Sequence, residues 1–407
     1  MKTPMLSATA LVASGVLAVP ATAADPIQLR LGGYLQGYIT AGRIDRDITG
    51  GTVGTNYQTE TFRYEGEIWF SGETKLDNGT TIGIRIELEG WSQNTGANPP
   101  ATGSLDQMDE EYLFTFGNWG RIEFGATDAA SYKMVKSSFS VLPGWGFHDP
   151  TFSNKGSGFS SANNGGRDRG TNPGLAASNA NNSGDATKFT YYTPVMAGFQ
   201  AGFSYTPAFN TSGPTATCFF RGGGGAVPNC PENANAWHRG IDVSATYANT
   251  FGGVSVALHG GYMTAAFDRG TTLGAADSGS GRYESWAAGA QLGFAGFTLG
   301  GGLGRDNNGL KGSNATRWYT AALKYETGPW QMSAGWWGGR NNDGNAVTGA
   351  QNAPGKDKMD IFEAGVTYLL SPGIKLAGGF NYVMGSGQSK SEKADAWAFL
   401  VGTELRF

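Results

Sequence analysis

Long apolar runs are missing from this chain beyond its first two dozen residues, so no later stretch supplies the about 20 residues a membrane helix needs. That excludes spanning by helices but not by strands, which need only about ten residues each and leave alternate positions free to be polar. Histidine is scarce: there are three, His148, His238 and His259, with no metal-ligand spacing. Only 15% of the residues are charged, and no nucleophile–base pair is legible, which argues against an enzyme and implies no cofactor or metal. A net charge of -4 gives no basic footprint for nucleic acid. The run Gly222 to Gly225 is followed by neither Lys-Ser/Thr nor a helix pattern, so it is not a phosphate loop.

Cysteine is limited to Cys218 and Cys230, both in one connection between strand patterns. A local disulfide is expected there, worth roughly 3 kcal/mol if unstrained. An oxidising compartment is implied by the N-terminus. Lys2 gives a short basic region, Leu6 to Val19 an apolar centre and Ala21-Thr22-Ala23 a cleavage pattern, so residues 1–23 read as a signal peptide cut after residue 23 or 24.

What is abundant is period-two alternation. In the last stretch, Trp397, Phe399, Val401, Leu405 and Phe407 share one parity, while Ala398, Gly402, Glu404 and Arg406 take the other, with Leu400 as the exception. Ile27 to Thr40, Thr61 to Phe70 and Thr81 to Glu89 repeat the pattern; in the last, four aliphatics alternate with Gly83, Arg85, Glu87 and Glu89. Charges at every second residue cannot face a dry core without partners, so they imply a water-filled interior. Sixteen such segments can be counted between Ile27 and Phe407. Their connections alternate: tight turns such as Asp77-Asn78-Gly79, Ala295-Gly296 and Gly328-Pro329, then long ones centred near Gly51, Gly96, Gly158 and Gly223. A membrane barrel sorts its loops this way, with one rim of short turns and one of long loops. The chain from residue 24 to 407 is therefore expected to be one all-β, 16-stranded antiparallel transmembrane barrel. Aromatics at Trp69-Phe70, Trp119, Tyr191-Tyr192, Trp318-Tyr319, Trp330, Trp336-Trp337 and Tyr368 are read as interfacial belts.

These features, together with the oversized connection after the fifth strand, terminal Phe407 and the opening Leu31-Gly32-Gly33-Tyr34, resemble a general bacterial porin of the Gram-negative outer membrane, the alphaproteobacterial branch in particular. The resemblance covers essentially the whole mature chain. It implies a homotrimer in outer-membrane lipid, passive passage of small hydrophilic solutes and ions, and a third external loop, here 128–186, folded into the pore. It also implies that the terminal strand, through Phe399, Val401, Leu405 and Phe407, is read by the barrel-assembly machinery.

The family's eyelet opposes an acidic loop to basic wall residues, whereas charge here is mixed. Candidates for the pore lining and constriction are Arg63, Glu65, Glu67, Arg85, Glu87, Glu89, Arg121, Glu123, Lys133, Lys136 and Asp149, with Glu111 on the same presumed inner parity. Arg63 and Arg85, on neighbouring strands, are expected to line the lumen together, as a clamp or in ion pairs with Glu65 and Glu87. Phe139, Trp145, Phe147 and Phe152 are expected to pin the loop to the wall. The leading function is a diffusion channel selecting by size and charge. Its rivals are a substrate-selective sugar or anion channel and a structural or adhesive surface barrel with a blocked lumen.

Overall fold

The computed structural model describes residues 26–47, 59–89, 108–144, 147, 183–209, 237–267, 282–307, 315–342, 357–386 and 393–407. The signal segment, Asp149, Cys218 and Cys230 lie outside them. The expected Cys218–Cys230 staple therefore falls outside the described residues, and no disulfide is present among those described.

Sixteen strands close one antiparallel barrel in which each pairs with its sequence neighbour and the last returns to the first. They are β1 Gln28–Asp47, β2 Glu60–Lys75, β3 Thr81–Glu89, β4 Glu111–Gly117, β5 Gly120–Ala126, β6 Thr187–Tyr192, β7 Phe199–Ala208 and β8 Trp237–Phe251. The second half comprises β9 Val254–Phe267, β10 Tyr283–Phe294, β11 Phe297–Asp306, β12 Ala315–Thr327, β13 Trp330–Asn342, β14 Asp357–Ser371, β15 Ile374–Ser386 and β16 Lys393–Arg406. Closure leaves no edge, so every backbone group within a bilayer finds a partner in the next strand. The seam is tied to the last residue: Gly33 N donates to Phe407 O at 3.0 Å, and Phe407 N to Gly33 O at 3.1 Å.

Seven tight turns join β2–β3, β4–β5 and so on to β14–β15 along one rim. Three of them, Ala197-Gly198, Gly252-Gly253 and Ala295-Gly296, hold both central residues at positive φ (50° and 89°, 57° and 87°, 50° and 84°). That is the mirror-image turn whose twist matches a hairpin. The strands run further toward the opposite rim than the alternation suggests: β1 continues to Asp47 and β13 to Asn342.

The expected faces hold. Leu29, Leu31, Leu35, Ile39 and Phe62 (70% exposed) project outward, as do Leu113, Phe124, Leu299 and Leu323, an arrangement stable only against hydrocarbon. Leu400, the exception in the last strand, is 1% exposed inside the barrel, packed with Tyr38, Leu142, Ala377 and Ala398. The belt reading needs correction. Trp69, Tyr192, Trp318 and Trp337 belong to the inward parity, the last three buried. Alternation sends only one member of each aromatic doublet to the lipid.

Candidate pore wall and inner strap

After β5 the chain turns inward instead of returning over the rim. A single helical turn, α1 Ala130–Lys133, and the extended residues after it form a strap along the inner wall. Backbone groups that leave a sheet need new partners, and short polar side chains of the wall supply them in strand order. Ala130 N donates to Ser204 Oγ on β7 at 2.9 Å, and Ser131 N to Asp242 Oδ1 on β8 at 2.9 Å. Gln291 Nε2 on β10 donates to Ser137 O at 2.7 Å, and Ser138 bonds the hydroxyl of Thr320 on β12. Val141 N donates to Ser333 Oγ on β13 at 3.1 Å, while its carbonyl accepts from Thr367 Oγ1 on β14 at 2.6 Å. Ser140 donates to the Glu363 carboxylate, and Tyr38 Oη on β1 donates to Pro143 O at 2.9 Å. The strap thus follows the wall from β7 round to β1.

Wall glycines let it lie close. A Cβ at Gly289 would stand 2.2 Å from Lys136 O, one at Gly302 2.3 Å from Ser137 Oγ, and one at Gly335 2.2 Å from the Phe147 ring. At Gly289 the neighbour is backbone, so only hydrogen fits there, while a side chain at Gly302 or Gly335 would have to displace Ser137 or the Phe147 ring. Beyond the strap the same arc is apolar: Phe147, Met263, Tyr283, Trp318, Trp337, Ile361 and Val383 form one buried cluster, with Phe139 packed against it. Phe139 and Phe147 therefore pin the strap, as expected; Trp145 and Phe152 lie outside the described residues.

The arc from β1 to β5 has a different lining. Glu67 accepts from Tyr34 Oη at 2.9 Å and Trp69 Nε1 at 2.8 Å, and Glu65 accepts from Gln36 Nε2 at 2.7 Å. Arg85 Nε lies 2.5 Å from Glu87 Oε1, and its guanidinium sits 4.5 Å from the Trp69 ring centre. Glu89 occupies the same face of β3. Arg121 stacks 4.4 Å over Phe114 and pairs with Glu123 at 2.7 Å. Lys133 reaches from the strap to the other Glu123 oxygen at 3.0 Å and lies 4.5 Å over the Tyr112 ring. Across the seam, Glu404 holds Lys375 at 2.8 Å and Arg406 at 3.4 Å.

Three placements differ from expectation. Arg63 sits on the inward parity of β2 opposite Tyr38, but Arg85 stands opposite Ser71, eight positions along β2 from Arg63. At about 3.4 Å per residue the two are roughly 27 Å apart along the strand, so they form no clamp. Adjacent strands do not imply adjacent residues until register is known. Glu111 pairs with Ala126 on the parity of outward Leu113 and Phe124. Lys136 meets the wall through its carbonyl, against Gly289.

Several lining residues escape the sequence reading. Glu404 and Arg406 share the inward parity in the sequence but carry no pairing signal there, Trp69 reads as a belt residue, and nothing marks Tyr34 or Lys375 as lining. At the strap's entry, Glu110 accepts from Thr127 Oγ1 at 2.8 Å and from Asp128 N at 3.1 Å. Carboxylate oxygens of Glu110, Asp128 and Asp185 lie within 4.8 Å of one another. Burial, then the neighbouring acids, pushes Asp109 up to about 8 and Asp128 up to about 7. Lys188 is buried beside them, its ammonium donating to the carbonyls of Thr127, Gly184 (2.6 Å) and Ala186 (2.7 Å).

A family model described as Gram-negative porin matches residues 7–388. No curated protein sequence matches. Among solved structures, the chain is similar to an anion-selective porin from Comamonas acidovorans (TM-score 0.57, 16% identity, 94% of this chain and 100% of that one). It is also similar to OmpF of Salmonella typhi in complex with daunomycin (0.58, 14%, 93% and 97%) and to a mutant Rh. blastica porin (0.50, 14%, 93% and 100%). At these identities the structures share the fold alone.

Proposed function

Since this chain belongs to the Gram-negative porin family, a family of non-catalytic outer-membrane channels, we propose that it passes small hydrophilic solutes and ions by diffusion, selected by size and charge where the strap narrows the barrel. The observation that supports this is the division of the inner wall: the strap is bonded to the arc from β7 round to β1 and leaves the charged arc from β1 to β5 to line the passage. Glu65, Glu67, Glu87, Glu89, Arg85, Arg121, Glu123 and Lys133 are the lining residues of this reading, with Arg63 on the same face and Lys136 on the strap. Arg85, Arg121 and Lys133 are engaged by Glu87 and Glu123, and Glu67 accepts from Tyr34 and Trp69. The five acids and five bases of this lining balance, so the passage discriminates weakly between cations and anions.

Single-channel recording in a planar bilayer with a salt gradient tests both parts. Ohmic steps with a reversal potential near zero are expected. A strongly cation- or anion-selective reversal potential overturns the charge balance while leaving the channel; absence of conductance from folded protein overturns the channel. The homotrimer rests on the family resemblance and would appear as steps in threes. The alphaproteobacterial placing rests on Leu31-Gly32-Gly33-Tyr34 and the order of the motifs. Recognition of the last strand by the assembly machinery is supported by outward Phe399, Val401, Leu405 and Phe407. Removal at residue 23 or 24 and insertion of the rest of 128–186 belong to the same reading.

A further inference from the structure

The outer wall carries a basic row that the channel reading does not use. Cross-strand register places Arg305 opposite Arg317, Arg317 opposite Arg340, and Arg340 opposite Lys358. Four cations thus stand side by side on β11 to β14, along a ribbon about 14 Å wide at about 4.8 Å per strand. Their parity is that of Leu303, Tyr319 and Phe362, all exposed, so the row faces away from the lumen. It lies at the loop-rim end of the apolar band, and Trp286, opposite Arg305, and then Tyr262 continue it on β10 and β9. Exposed Trp and Tyr mark headgroup depth.

Like charges directly opposite one another destabilise a sheet, so the row needs counter-charge. Arg340 has it: Asp360 takes both oxygens to its guanidinium at 2.9 Å and also accepts from Trp336 Nε1 at 3.0 Å. Glu284, the other acid on this face, bonds Tyr262 Oη at 3.5 Å. Among the described residues Arg305, Arg317 and Lys358 make no ion pair, and Arg305 Nε is buried without a partner. We infer that Arg305, Arg317 and Lys358 form a docking site for the phosphate-bearing headgroup of an anionic lipid in the leaflet around the loop rim. Guanidinium forks match phosphate geometry, and basic clusters at membrane interfaces hold anionic headgroups. The apolar wall directly beneath the row takes the acyl chains, which favours a lipid over a soluble partner.

The test is retention of diphosphoryl lipid A by the purified full chain in neutral detergent, read by native mass spectrometry, with dephosphorylated lipid A as the comparison. The triple variant Arg305→Gln, Arg317→Gln, Lys358→Gln is expected to retain on the order of tenfold less of the phosphorylated lipid. Lys324→Gln, which removes a charge from the lumen face, is expected to retain as much as the parent. Equal retention by the triple variant overturns the proposal, as does equal retention of the two lipids. Displacement of the lipid by inorganic phosphate at equal concentration would also overturn it, by making the row a site for free phosphate. Should the triple variant fail to form a heat-modifiable barrel, Arg317→Gln alone carries the test, with a smaller loss in the same direction.

Discussion

Along β1 to β5 the inner wall carries Glu65, Glu67, Arg85, Glu87, Arg121 and Glu123, while from β9 to β15 it carries Met263, Tyr283, Trp318, Trp337, Ile361 and Val383. Both arcs lie in one sheet and use the same inward parity. The difference is what faces them. The second arc is covered by the strap and its phenylalanines, so its apolar side chains pack as a core while Thr320, Ser333, Glu363 and Thr367 bond the strap. The first faces the passage, where charge stays hydrated or paired. A porin-type lumen is thus half protein interior and half channel, and residues of the same parity answer to different physics according to the strand that bears them.

The largest effect that sharpens this contrast is Trp318→Ala. Emptying a large aromatic site in the buried cluster is expected to cost about 3–5 kcal/mol, read as the denaturant midpoint in micelles, whereas Trp69→Ala on the charged arc is expected to cost far less. Equal losses would dissolve the distinction. Next is Gly289→Val, which drives a side chain into the Lys136 carbonyl and is expected to destabilise by about 1–3 kcal/mol. Because the strap can relieve that clash only by moving into the lumen, the single-channel conductance should fall as well.

Tyr38→Phe removes the hydroxyl that holds Pro143 and is expected to cost about 1 kcal/mol, with noisier channel currents as the sensitive readout. The strap's entry should respond to pH. Burial favours the protonated forms of Asp109 and Asp128, whose pKa values rise from 3.8 to about 8 and about 7. Their stabilisation is complete below the ordinary carboxylate pKa and is lost as pH rises through 7 and 8. The melting temperature of the parent should fall across that window, and the variant Asp109→Asn, Asp128→Asn should fall less. The smallest stability change is expected for Glu65→Gln with Glu67→Gln, which should leave melting nearly unchanged while moving the reversal potential toward anions.

Much of this was legible in the chain. Period-two alternation set the faces of β1, β2, β3 and β16, and the Gly-bearing turns at Asp77-Asn78-Gly79 and Ala295-Gly296 set the hairpins, because both signals are local. Legibility ended where meaning depended on a distant segment. Leu400 breaks the pattern only until Leu142 is seen beside it. Trp318 and Trp337 look like belt residues until the strap fills the space inside. Gly289 and Gly335 look like ordinary strand glycines until Lys136 and Phe147 are placed over them.

The sequence by itself determined a closed sheet of alternating strands with its apolar side outward, since strand period and turn chemistry are properties of consecutive residues. Only the tertiary structure decided which inward residues meet water and which meet protein. That choice is made by contacts across more than a hundred residues, such as Tyr38 with Pro143 and Val141 with Thr367. Register belongs to the same class. The separation of Arg63 from Arg85 and the alignment of Arg305, Arg317, Arg340 and Lys358 both follow from how far neighbouring strands slide before their hydrogen bonds lock.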